Sequence, residues 1–359
     1  MFFNFMLREI KIAITTKCPL SCSYCFARKD DQTMDFKTLR KAVHFFYNNS
    51  DKGVRLNFLI YGGEPCLFPD LLKKSIRYIL TEAKKRKRKV LIYVGTNGVA
   101  LTKNLIFFFK KHQVRIALSF GGDKELHDKF RYFKNKDGSF EKAFPKLIFL
   151  INNFPRDKYY VSLCAHPSQA DELYKSFLYF YSLGARSFRV EFIYDHRYRW
   201  DKKSVELIKK NYIKIWDYII NNFFQKNFIF LVNYRKSLKL KAGNKNQQIA
   251  RCFNYCEIST NGKVFLSSFL TIDDKFAVGD VYGGLDKNLF VCNLNKKNVR
   301  FNDCEICRSR HFRGMREILV NSKKIEDEFR KISNKYFEKI SRVDKIGKEY
   351  IDTFYKNFY

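Results

Sequence analysis

The sequence predicts an α/β fold: a parallel sheet, curved or closed into a partial barrel, followed by a smaller cysteine-bearing region. Three observations carry this expectation. Six short β-prone runs alternate with helical stretches between residues 8 and about 195, a polar linker follows near 236–248, and the cysteines fall in clusters. Strands separated by segments of crossover length form parallel sheets with both faces covered.

The strand runs are REIKIAIT (8–15), VRLNFLI (54–60), VLIYVGT (90–96), VRIALSF (114–120), YYVSLCA (159–165) and SFRVEFI (187–193). Segments such as DFKTLRKAVHFFYNN, PDLLKKSIRYILTEAKKRK and QADELYKSFLYFYSL are long enough for the crossover helices. In such folds the chemistry collects at the C-terminal ends of the strands, where the loops converge. A polar helix is expected near 201–225. Beyond the linker KSLKLKAGNKNQQ the chain becomes turn-rich, and EISTNGKVFLSS carries an Asn-Gly pair between two β-prone runs, a strong hairpin signal. From Met315 the tail reads as a charged amphipathic helix. The expected units are therefore a barrel at 1–235, a linker at 236–248, a cysteine-rich domain at 249–315 and a helical tail at 316–359. The run KKRKRK (84–89), at the end of a helix, reads as a solvated face.

With 359 residues, 46% hydrophobic and 29% charged, the chain can bury a core, and neither disorder nor a coiled coil accounts for it. The net charge of +33 favours acidic partners. The basic residues are spread through the whole chain, which argues against a dedicated nucleic-acid module. No apolar run approaches the roughly 18 residues a membrane span needs, and the N-terminus lacks the basic and small-residue signals of an export peptide. These features predict a cytoplasmic protein without a membrane partner. Ten cysteines in that reducing setting read as metal or redox ligands rather than disulfides.

The most specific feature is CPLSCSYC directly after the first strand. It puts Cys18, Cys22 and Cys25 in a CxxxCxxC spacing on one loop. An iron–sulfur cube takes four ligands, so three close thiolates leave one iron open to another ligand. Further along stand Tyr61-Gly62-Gly63-Glu64-Pro65 after the second strand, Thr96-Asn97-Gly98 after the third, and Ser119 at the end of the fourth, followed by GGDKELHDKFR. Paired glycines permit a close backbone approach and positive φ.

This pattern resembles the radical S-adenosylmethionine (SAM) superfamily, whose cysteine triple follows the first strand of a partial (β/α)6 TIM-type barrel. The resemblance implies a 4Fe-4S cluster on Cys18, Cys22 and Cys25, with SAM bound at its open iron. Tyr61, Gly62, Gly63 and Glu64 look like the GGE motif that holds the methionine amino group, and Thr96 and Asn97 like the turn that closes the same pocket. Tyr24 and Phe26, on either side of Cys25, would wall the cofactor. The stretch after Ser119 is similar to the SxDGxxxxHxxxR segment of peptide-modifying members, which gives Ser119 a role at the SAM ribose and Arg131 one at its carboxylate; a guanidinium suits that task. Gly121 departs from the Asp usual there, and His127 reads equally as a surface residue that steadies the loop.

A second group comprises Cys252, Cys256, Cys292, Cys304 and Cys307, with a CxxC pair at 304–307. It resembles a twitch or SPASM domain, which implies one auxiliary 4Fe-4S cluster on Cys252, Cys304 and Cys307, with Cys256 as fourth ligand and Cys292 in reserve. Ser267, Arg313 and Glu317 stand where fuller domains carry cysteines, so two complete clusters are not expected. A zinc ribbon on the same residues, in a scaffold rather than an enzyme, is the competing reading. Cys66 and Cys164 read as buried small side chains or a substrate-side thiol.

The resemblance implies an enzyme that reductively cleaves SAM to a 5′-deoxyadenosyl radical and abstracts hydrogen from a ribosomally made peptide or protein. An acidic leader would suit the basic surface, and a flavodoxin or ferredoxin would supply the electron. Small-molecule and RNA-modifying relatives form the alternative. Sulfatase-type maturation is disfavoured, because Ser267-Ser268 occupy the place where those relatives carry a cluster cysteine followed by an Asp base.

Overall fold

The computed structural model describes residues 7–50, 53–193, 198–224, 228–231, 255–286 and 316–341. The elements run β1 (Glu9–Thr15), α1 (Phe36–Asn48), β2 (Leu56–Gly62), α2 (Pro69–Lys85), β3 (Val90–Thr96), α3 (Lys103–Lys111), β4 (Arg115–Phe120), α4 (Lys124–Phe130), α5 (Phe140–Asn153), β5 (Tyr159–Ala165), α6 (Leu173–Ser182), β6 (Ser187–Phe192) and α7 (Lys202–Phe224). After them come β7 (Phe230–Leu231), β8 (Tyr255–Ile258), β9 (Val264–Phe265), β10 (Gly279–Asp280), β11 (Gly284–Leu285) and α8 (Arg316–Ser341). All six strand runs read from the sequence form strands.

Among the described residues one nine-stranded sheet runs in the order β7, β6, β5, β4, β3, β2, β1, β8, β9. Its pairs are parallel from β7 to β8, and only β8 and β9 are antiparallel. This is a partial barrel. The period-2 alternation of each strand gives the sheet two chemistries. On the outer face Ile12, Ile60, Val94 and Ile116 stand side by side in register, each 0% exposed, against the helices. Burying each such side chain is worth about 2–3 kcal/mol. The inner face carries Lys11, Tyr61, Tyr93, Arg115, Tyr160 and Arg189 from successive strands. Both faces were expected to be covered; the inner one is polar and partly open.

Two expectations change at the C-terminal end. The Asn-Gly hairpin was placed in a separate domain, but β8 pairs directly with β1, Glu9 opposite Tyr255 and Ile12 opposite Ile258, so the hairpin continues the barrel sheet. Cys256, expected as the fourth auxiliary ligand, lies within β8 opposite Ile10, 1% exposed in the apolar core, and burial pushes its thiol well above the usual range. Strand alternation turns it away from the inner face, so we assign it to the core. Cys252, Cys292, Cys304, Cys307 and the linker at 236–248 lie outside the described residues. The tail helix α8 docks on α7: Tyr336 O–H donates to Asp217 Oδ1 at 2.7 Å, and Tyr336 stacks on Trp216 at 5.8 Å. Lys84, Lys85, Arg86, Lys87 and Lys89 of the basic run are exposed, as expected.

Candidate active site

Loops at the C-terminal ends of β1 to β5 meet over one end of the barrel. The loop after β1 holds Cys18, Cys22 and Cys25, each half-buried with a free thiol. Its path is fixed from two sides. Thr16 N–H donates to Gln32 O at 2.9 Å and Met34 N–H to Ile14 O at 2.8 Å, while Ser21 N–H reaches Tyr132 O at 2.7 Å and Ser23 N–H reaches Phe130 O at 3.0 Å. Burial pushes Cys18 up to about 11 and raises Cys25; the neighbouring Cys22 thiol adds to both rises, and Cys25 adds to that of Cys18. Among the described residues no three ligand-type side chains converge as closely as a single ion requires. Three thiols on one loop are a donor set that suits a polynuclear iron–sulfur cluster with one iron left open.

The turn after β2 packs against this loop. Gly63 N–H donates to Thr15 O at 2.7 Å and Glu64 N–H to Lys17 O at 2.8 Å. A Cβ on Gly62, whose φ is +136°, would stand 2.1 Å from Thr15 O, and one on Gly63 would stand 2.2 Å from Lys17 O. The glycines thus serve contact with the cysteine loop's own backbone as well as room for a ligand. Glu64, 0% exposed, is held by three donors: Cys66 N–H at 3.0 Å and Thr96 O–H at 2.7 Å to Oε1, and Asn97 N–H at 2.7 Å to Oε2. Burial raises its pKa, against the pull of those donors. Asn97 Nδ2–H in turn reaches Cys18 Sγ at 3.5 Å. The Thr96-Asn97-Gly98 turn is therefore a carboxylate clamp joined to the first cysteine.

Arg131 is 5% exposed. Its Nη1 donates to Tyr24 Oη at 2.8 Å and stands 3.9 Å from Cys164 Sγ, while its buried Nε has no partner, a donor suited to an anionic ligand. His127 is fully buried rather than a surface residue. Gly121 N–H donates to its Nδ1 at 3.4 Å, so Nε2 carries the proton toward Ser139 Oγ at 3.0 Å, and Ser139 donates to Arg131 O at 2.9 Å. Burial, followed by the charges of Arg131 and Lys124, lowers His127 to about 2, and the imidazole stays neutral. A Cβ on Gly121 would lie 3.2 Å from His127 Cα, a tight contact that the glycine avoids.

Tyr24 is buried, and Phe26, Tyr61, Ser119 and Cys164 are half-buried, Ser119 and Cys164 being inner-face residues of β4 and β5. Cys66 is core. Sequence reasoning missed His166, directly after β5. Its ring packs on Phe130 at 4.5 Å and Tyr198 at 4.3 Å beneath the cysteine loop, its buried Nε2 has no partner, and burial lowers it to about 4. A His at the C-terminal end of a barrel strand was the available signal. Also missed were Lys11 and Glu257, charged residues inside β-prone runs.

Residues 12–155 match the sequence pattern of the Radical SAM superfamily. The chain is 24% identical over 328 residues to the cysteine-type anaerobic sulfatase-maturating enzyme of Clostridium novyi, covering 82% of this chain and 85% of that protein. Native anSMEcpe with bound AdoMet and peptide superposes with a TM-score of 0.66 at 17% identity, over 91% of this chain and 98% of that one. Streptococcus suis SuiB bound to precursor peptide SuiA gives a TM-score of 0.56 at 14% identity, over 78% and 64% respectively. At these identities the solved structures show the shared fold. Among the described residues no helix is long and apolar enough to cross a membrane.

Proposed function

Since the chain carries a radical SAM domain, we infer that it is a radical SAM enzyme acting on a residue of a peptide or protein. The observation that carries the reading is the continuous link from Glu64 through Thr96 and Asn97 to Cys18, which ties a buried carboxylate to the cysteine triple. When bound, the 4Fe-4S cluster and SAM supply an electron and a 5′-deoxyadenosyl radical that takes hydrogen from the substrate. In our reading Cys18, Cys22 and Cys25 hold the cluster. Glu64 holds the methionine ammonium, and Arg131, with its free Nε, the carboxylate. Ser119, on the inner side of β4, would hold the ribose. The rings of Tyr24, Phe130, His166 and Tyr198 keep water from the underside of the cysteine loop.

Support for a peptide substrate comes from the two structural neighbours described above, each with a bound peptide, and from the +33 charge, which suits an acidic leader. We further propose one auxiliary 4Fe-4S cluster on Cys252, Cys304 and Cys307 and a flavodoxin or ferredoxin as reductant. The decisive experiment is anaerobic iron and sulfide analysis with reductive SAM cleavage, comparing the wild type with a Cys18→Ala, Cys22→Ala, Cys25→Ala variant. About eight irons, falling to about four with loss of 5′-deoxyadenosine, are expected for two clusters. About four in the wild type, all lost in the variant, would remove the auxiliary cluster, and no iron with no cleavage would remove the enzyme. Mass spectrometry of peptides encoded beside the gene then tests the substrate.

A further inference from the structure

Where β1 meets β8, the inner face holds a chain of hydrogen bonds that cofactor binding does not use. Lys11 Nζ donates to Ser268 Oγ at 3.1 Å, Ser268 Oγ stands 3.1 Å from Tyr255 Oη, and Tyr255 O–H donates to Glu257 Oε2 at 2.8 Å. An ammonium only donates and a carboxylate only accepts, so the two hydroxyls between them pass their protons the same way. Lys11 and Glu257 are register partners across β1 and β8. Their ends differ. Lys11 is half-buried, its ammonium 5.9 Å from the Tyr61 ring and 5.1 Å from that of Tyr255, whereas Glu257 is 0% exposed and its Oε1 has no partner. A buried carboxylate with one oxygen unsatisfied is costly to keep ionised. Burial raises Glu257 to about 7, with the Lys11 charge pulling the other way. From further elements, Glu9 on β1 and Arg189 on β6 act on Tyr255 with opposite signs.

We propose that Lys11, Ser268, Tyr255 and Glu257 form a proton relay that makes Lys11 the base of the barrel chamber. Lys11 Nζ gives a proton to Ser268, and the lone pair of the amine this leaves takes the thiol, hydroxyl or amide hydrogen of a bound peptide. Ser268 passes one to Tyr255, and Tyr255 passes one to Glu257 Oε2. The substrate X–H bond breaks, a carboxyl O–H bond forms, and Lys11, Ser268 and Tyr255 end with the protons they began with. No electron moves. Lys11 is the residue that touches substrate, and the other three act through it. The proposal rests on the inference that the barrel interior is the reaction chamber.

The first test needs no substrate. Infrared pH titration of the reconstituted protein, taken as the difference between wild type and Glu257→Gln, should show the Glu257 carboxyl half-protonated near neutrality. In Lys11→Met the midpoint should rise by about one pH unit or more. Titration in the ordinary carboxylate range, or no response to Lys11→Met, overturns the relay whatever the enzyme does. The second test uses the peptide found by mass spectrometry and reads the ratio of modified peptide to 5′-deoxyadenosine. Tyr255→Phe and Ser268→Ala should each lower this ratio at least about tenfold and flatten its rise with pH around neutrality. If both products fall together, the residues are structural and the proposal fails. If the wild type modifies no peptide while the infrared midpoint stands, the substrate assignment fails and the relay does not.

Discussion

The two faces of the barrel sheet are built from the same strands one residue out of phase, yet they differ in almost everything else. On the outer face Ile12, Ile60, Val94 and Ile116 are wholly buried. On the inner face their immediate neighbours are Lys11, Tyr61, Tyr93 and Arg115, joined by hydrogen bonds such as that from Arg115 Nη1 to Tyr93 Oη at 3.2 Å. Parallel strands covered on both sides usually read as continuous apolar runs. Here stability comes from one face, which leaves the other available for polar chemistry.

The largest effect that would break this comparison is on the outer face. Phe58→Ala should cost about 3–5 kcal/mol, while Leu59→Ala, next along the strand on the inner face, should cost far less by thermal unfolding of the reconstituted protein. Equal losses would mean that the inner face is packed core. Next comes Glu257. Its folded pKa of about 7 lies above the usual 4.5, so the folded state binds the extra proton between those values and loses stability as pH rises through that window. Glu257→Gln should therefore stabilise the protein by about 2–3 kcal/mol at pH 8 and by little near pH 4.5. Unfolding measured at both pH values checks it.

Glu64→Gln sharpens the comparison at the barrel mouth. It keeps the shape but opposes an amide N–H to the Asn97 N–H, and SAM affinity measured by calorimetry should fall by about tenfold to a hundredfold with iron retained. Ser139→Ala is the smallest. Losing the hydroxyl between His127 and the Arg131 carbonyl should cost about 1 kcal/mol and raise the KM for SAM. His127, held neutral in the fold, also predicts stability that is present above about pH 6.5 and lost as pH falls below it, when the unfolded imidazole takes a proton. A His127→Gln variant should show a shallower acid decline.

The strands were legible because runs such as VLIYVGT combine β-branched residues with turn signals at their ends, and the cysteine triple because its spacing is local. What the sequence hid is non-local. Nothing near EISTNG shows that its first strand lies beside β1 rather than in a module of its own. Cys256 then falls to the core through that pairing: strand alternation puts it with Ile258, across from Tyr255 and Glu257. The clamp on Glu64 was half legible, since Thr96-Asn97-Gly98 was read as a turn closing the pocket, while its bonds to the carboxylate and to Cys18 needed coordinates. His127 misled because a polar residue on a short helix looks solvated until Phe120 and Phe140 close over it.

The stapling of the cysteine loop by residues 130–133 means that the ligand motif is not a transplantable part. A peptide with the full CPLSCSYC spacing would lack the carbonyls of Phe130 and Tyr132 that set its shape, and so would a fragment ending before α4. During synthesis the loop would emerge early and wait for more than a hundred further residues before its backing arrives. Competence to take up a cluster should accordingly appear as a late, all-or-none event in folding, and the shortest chain that binds iron tightly should be one that has already completed β4 and the segment after α4.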